Sequence, residues 1–312
     1  MKKKIQVLLA VFAAGTLCFT ACKKNSNEVD YAAELSAHSD DQSRFSNETD
    51  EIANDANNAI DGYTAFNGRI DNSANTAILP CNVTAVVDSV SSPKKITLTY
   101  NGLNCAGTRT RVGTVVLTLP ANVRWKDAGA VLTVQYQNLK ITRVSDGKSV
   151  TINGTKTITN VNGGLIRNLA TSSPITHRIA STGMTITFDD GSQRTWQIAK
   201  QRVFTYSNGI VITTTGTGTV DGATNVSEWG TNRYGNPFVT SITQALVVRQ
   251  DCNFRLTTGV VTHTRLAATA VVTFGLDASG NATSCPGTGP YYFKLVWTGI
   301  NGIVRTVILP YY

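Results

Sequence analysis

Apolar and polar positions alternate with a period of two along most of the chain after Tyr63. Ile96, Leu98 and Tyr100 alternate with Thr97 and Thr99; Met184, Ile186 and Phe188 alternate with Thr185 and Thr187; Phe293, Leu295 and Trp297 follow the same rule. Successive side chains of a strand point to opposite faces, so these runs predict strands with one apolar and one threonine-rich face. Asn101-Gly102, Asp146-Gly147, Asn153-Gly154, Asp190-Gly191, Asn208-Gly209, Asp221-Gly222 and Asn301-Gly302 punctuate them as turn dipeptides, because such pairs accept the positive φ of tight hairpins. The pattern predicts an all-β fold of antiparallel hairpins forming a sandwich or rolled sheet. A one-residue slip of apolar phase between Gln137 and Leu139 predicts a bulge or a bend.

Only one segment has helical spacing. Ile52, Ala53, Ala56, Ala59 and Ile60 recur at the helical period, with Asn47 or Thr49 placed to begin a short helix and Gly62 to end it. From Lys23 to about Ser46 the chain is polar and acidic, and it reads as a flexible spacer. Ahead of it, Lys2 to Lys4 and the uncharged run Ile5 to Ala21 form a secretory signal. The expected organisation is a signal peptide over 1–21, an anchor with spacer and short helix over 22–62, and one β domain over 63–312.

Phe19-Thr20-Ala21-Cys22 resembles the bacterial lipobox, with Phe19 where leucine is usual. Cys22 is therefore the expected lipidation site, and palmitate among its acyl chains would hold the protein to the outer membrane.

Charge divides the chain unevenly. Residues 25–62 hold ten acids and one base, Arg44, whereas residues 63–312 hold ten acids and 22 lysines or arginines. The bases are scattered singly, as at Arg249, Arg255 and Arg265, so they read as a solvated face and nucleic acid is not an expected partner.

Besides Cys18 and Cys22 there are four cysteines, Cys81, Cys105, Cys252 and Cys285, and four allow three pairings. Residues 81–119 and 252–298 look like copies of one unit: a cysteine, a hairpin, a second cysteine followed by Ala-Gly-Thr or Pro-Gly-Thr, and another strand. Pairing within each unit, Cys81 to Cys105 and Cys252 to Cys285, is the natural arrangement. No CxxC occurs, and His38, His177 and His263 lack ligand-type spacing, so no metal or other cofactor is expected.

The succession of Cys81, the strand to Tyr100, Cys105, Arg111-x-Gly113, GAVLTVQYQNLKIT, NGTKTITN and the second cysteine block resembles a family of uncharacterised lipoproteins from Bacteroidota. The resemblance covers most of the chain from Cys81 onward. It implies an exported, lipid-anchored β-protein of no assigned activity.

Signatures of catalysis are missing: there is no G-x-S-x-G elbow, HExxH, Walker loop or dinucleotide fingerprint, and no catalytic residue is expected. The most suggestive stretch is 223–238, whose Trp229, Arg233, Tyr234 and Phe238 are the candidate ligand-binding residues, since flat aromatics with polar neighbours suit glycans. The expectation is a non-enzymatic binding or structural module with glycan or envelope proteins as candidate partners. The alternative is a glycan-active enzyme with paired carboxylates, drawing on acids such as Asp189 or Asp251.

Overall fold

The structure, a computed structural model, describes residues 31–67, 79–265, 268–283, 285, 290–298, 302 and 304–311. The signal segment, Cys22 and the first residues of the expected spacer lie outside them. One α-helix, α1 (Tyr31–Gly62), precedes fifteen strands: β1 (Val83–Asp88), β2 (Lys94–Leu103), β3 (Arg109–Leu119), β4 (Ala130–Arg143), β5 (Ser149–Asn160), β6 (Ile175–Phe188), β7 (Gln193–Tyr206), β8 (Ile210–Gly216), β9 (Gly218–Val220), β10 (Ala223–Thr231), β11 (Pro237–Arg249), β12 (Arg255–Arg265), β13 (Ala268–Leu276), β14 (Tyr291–Thr298) and β15 (Val304–Tyr311).

The strands form one antiparallel sheet in which sequence neighbours are spatial neighbours from β1 to β7 and from β10 to β15. Between β7 and β11 the sheet forks: β10 joins them at Glu228 to Gly230, while β8 joins them along Lys200 to Tyr206 and Leu246 to Arg249. The expected alternation holds. Ile96, Leu98, Tyr100, Met184, Ile186, Phe188, Leu295 and Trp297 are all buried. The slip near Gln137 is a bulge, with register lost between Tyr136 and Leu139 and Asn138 at a φ of 50°.

Two of the expected turn dipeptides lie inside strands. Asn101-Gly102 belongs to β2, and Asn153-Gly154 sits at a bulge of β5. At Gly154 a Cβ would stand 2.7 Å from the Gly183 carbonyl oxygen, so glycine serves close backbone approach there.

The sheet curls around α1, and this overturns the flexible spacer and the short helix. The helix has 32 residues, roughly 48 Å of axis at 1.5 Å per residue. No glycine or proline interrupts it before Gly62, and Asn67 Nδ2 closes its end by donating to the Ile60 carbonyl at 2.8 Å. Between Glu34 and Asp61 only Asn58 is exposed. Phe45, Ile52, Ala53, Ala56 and Ile60 fill a core with β2 to β7, and Leu35 packs with β11 to β14.

The scattered bases are thus only in part a solvated face: Lys95, Arg124, Lys126 and Lys140 are exposed, whereas Arg111, Lys156, Lys200 and Arg202 are buried. Each of the eight acids on α1 meets an arginine or a ring hydroxyl of the enclosing wall. Glu34 pairs with Arg265 at 2.6 Å, Asp40 with Arg143 at 2.9 Å, Asp41 with Arg233 at 2.7 Å, and Asp50 with Arg202 at 2.6 Å. Glu48 and Glu51 share Arg109 and Arg111, Asp55 accepts from Tyr100 Oη at 2.9 Å, and Asp61 faces Arg167. On the wall itself, Lys200 and Glu228 form a buried pair at 2.5 Å that Trp196 Nε1 and Ser46 join. Buried ion pairs gain little over well-packed apolar contacts, but breaking one leaves an uncompensated buried charge.

No helix among the described residues is long and apolar enough to cross a membrane.

Candidate functional site

The last turns of α1 open into a cleft of about 530 Å³. Asn54, Asn57 and Asn58, spaced i, i+3 and i+4, line it from one face of the helix, one turn beyond Glu51 and beside Asp55. Arg109 and Arg111 of β3 stand behind the two carboxylates. The facing wall is apolar: Ile166, Phe204, Ile210 and Ile212, the open flank of a small core cluster.

One disulfide borders this opening, and the other directly precedes two of its lining residues. Cys81 and Cys105 have Cα atoms 5.3 Å apart, and Cys105 lines the cleft with Pro80 and Asn104; Cys252 and Cys285 are 5.4 Å apart, and Asn253 and Phe254 follow directly. The pairing within each cysteine unit is thus present, each pair bracketing an antiparallel hairpin, β1 with β2 and β12 with β13.

Phe254 is the unusual residue of the rim. Its φ is 54°, in the left-handed region that costs a bulky side chain about 1–3 kcal/mol, and its ring remains 48% exposed. Its neighbour Asn253 also has a positive φ, 58°, where asparagine is tolerated.

Burial raises the Asp55 carboxyl to about 6, against the opposing pull of Arg111 and the Tyr100 hydrogen bond. The Asn57 side chain is buried at 4% exposure, and its Oδ1 has no hydrogen-bond partner among the described residues.

The residues singled out from sequence do not gather. Phe238 is in the core against His38 and Trp196, with ring centroids 4.4 and 4.5 Å away, so it offers no face to a ligand. Arg233 binds Asp41 and Asp189, and Trp229 is half-buried on β10. Only Tyr234, 52% exposed, points outward; it lines with Arg233 a second cleft of about 640 Å³ near the start of α1.

Asp189 is held by Arg233, Asp190 accepts from the Ser192 backbone N–H at 2.8 Å within its turn, and Asp251 pairs with Arg249 at 2.5 Å. These acids share no cleft; Glu51 and Asp55 do, and they were missed because the short helix expected around them carried no expected site.

The histidines are buried and held neutral. Desolvation lowers His177 to about 3 and His263 to about 4, and lowers His38 well below its usual value, with help from His263 and Arg265. His38 and His263, far apart in sequence, have ring centroids 5.1 Å apart. The one grouping of three potential metal ligands among the described residues, Asp251 with Cys252 and Cys285, contains two sulfurs already joined to each other.

Comparison of the chain with protein-family models, with curated proteins and with solved structures finds no match, so its assignment rests on its own residues.

Proposed function

We propose that this chain is an exported, lipid-anchored outer-membrane protein that acts as a non-enzymatic binding module, its ligand entering the cleft at the carboxyl-terminal end of α1. The observation that carries the reading is the cleft itself: a concave site of small-molecule size, with one amide-rich wall, one apolar wall and the Cys81–Cys105 disulfide at its rim. The signal-like segment, the lipobox-like Cys22 and the likeness of the cysteine blocks to Bacteroidota lipoproteins support the address. Cys22 lies nine residues before α1, and Glu51 lies twenty residues into it, roughly 30 Å along the axis, which sets the cleft apart from the start of the helix.

Labelling cells with radioactive palmitate tests the address. Label should enter the wild-type chain and vanish in Cys22→Ala, which should also leave the membrane fraction. Label persisting in Cys22→Ala would overturn lipidation at this position.

The glycan-active alternative keeps one supporting observation, the meeting of Glu51 and Asp55 in this cleft with Asp55 at about 6. Both carboxylates already serve Arg111, which favours a structural role. Glycan hydrolysis that disappears in both Glu51→Gln and Asp55→Asn would restore the enzyme.

A further inference from the structure

The cleft has a chemical signature narrower than binding in general. We propose that it receives an uncharged saccharide, its ring laid on Phe254 and its hydroxyls met by the carboxamides of Asn54, Asn57, Asn58 and Asn253. This rests on the binding-module reading above.

Charge is the first argument. The charged residues of the lining are two acids and two arginines, and they are spent on one another: Arg109 and Arg111 both bind Glu51, and Asp55 lies 3.9 Å from Arg111 while accepting from Tyr100. A charged ligand would have to displace one of these partners from a buried network, which costs more than a surface contact returns.

Hydrogen-bonding capacity is the second. Five of the seventeen lining residues are asparagines, more polar groups than an apolar-ligand pocket carries. Asn104 is committed to its turn, where its Oδ1 accepts from the Thr108 and Arg109 backbone N–H groups. The other four remain. A carboxamide both donates and accepts, and so does a hydroxyl, whereas phosphate and carboxylate only accept and ammonium only donates. The buried Asn57 Oδ1 calls for a donor.

The opposite wall supplies the third. Phe254 with the half-buried Ile166 and Ile210 matches the C–H face of a pyranose, whose hydroxyl edges then turn toward α1. An acyl chain would satisfy the apolar wall but strip water from the amides without replacing it. Stacking also gives a role to the backbone strain at Phe254, which holds an aromatic ring outward at the rim.

The test uses detergent-solubilised full-length protein, an array of neutral oligosaccharides, a matched set of acidic ones, and lauric acid. Two variants report on the cleft. Phe254→Gly removes the ring and fits the observed φ, so its melting temperature should stay level or rise; Asn58→Ala alters an exposed position. Neutral oligosaccharides should bind, and each variant should weaken them, Phe254→Gly by about tenfold. Binding of acidic sugars or lauric acid alone, still lost in Phe254→Gly, would overturn the saccharide and leave the binding module standing. Absence of binding by every probe, or binding indifferent to both variants, would overturn both.

Discussion

Arg111 on β3 donates from Nε to Glu48 Oε2 on the central helix at 2.9 Å, and both side chains are 2% exposed. Burial raises the Glu48 carboxyl while Arg111 and Arg109 pull it down, so neither partner tolerates losing the other. Arg111→Met should cost about 3–5 kcal/mol in urea unfolding at pH 7, because it strands buried carboxylates. Adding Glu48→Leu should recover part of that loss. A double variant as unstable as the sum of the singles would mean that the two residues are not coupled.

Acid should act against the fold at its buried histidines. His177 falls to about 3 in the fold and stays near 6.5 in the unfolded chain, so the unfolded state binds the extra proton between those values. The contribution of neutral His177 is therefore full above about 6.5 and lost as pH falls toward 3, by about 1.4 kcal/mol per pH unit. Asp55 and Asp61, both raised to about 6, act with the opposite sign, stabilising as pH falls from about 6 to 4. The ring of His177 lies between Trp125 and Phe204, at 5.1 and 4.9 Å, so His177→Phe should keep the packing. Its stability should fall less steeply between pH 6 and 4, by about one proton, in denaturation curves taken at each pH.

The two disulfides close loops with separations of 24 and 33 residues. Opening either one by a paired Cys→Ser change should cost about 3 kcal/mol, read as a drop in the urea midpoint. The pairs are distant in sequence and held by different hairpins, so the two losses should add.

Gly275 and Gly191 both have φ near +80°, and alanine should separate their roles. A Cβ at Gly275 would lie 1.8 Å from the Thr257 carbonyl oxygen, while one at Gly191 meets nothing within 4 Å. Gly191→Ala should cost about 1 kcal/mol, and Gly275→Ala about 3 kcal/mol, in thermal or urea unfolding. Equal losses would show that backbone conformation alone governs both sites.

Sheet and staples were legible because they depend on local spacing. Parity fixed the inward faces of β2, β6 and β14, one slipped phase located the bulge at Asn138, and the cysteine units announced their own pairing. The first half of α1 was illegible because polarity was taken for exposure. A helix enclosed on all sides by a partly ionic wall needs no apolar stripe, so Glu34 to Ser46 lacks one. The clue lay in the strands. Lys200 and Arg202 share parity with Trp196, Ile198 and Phe204, which places two cations on an apolar face, and Lys156 stands likewise with Ile158. Inward cations require inward anions, and residues 25–62 hold the surplus. The cleft was harder to foresee, since Asn58, Asn104 and Phe254 come from three distant segments.

The position of α1 in the sequence sets an order of assembly. Synthesis runs from the amino terminus, so the innermost element is made first and the wall that encloses it follows strand by strand. Asn232, which binds Glu34, appears 198 residues later, and Arg265 later still. Until then the helix carries eight acids with one arginine of its own, a charge density that keeps it hydrated and separate from other chains. Among the described elements, the acidic helix is thus made before its wall and ends as the axle of the fold.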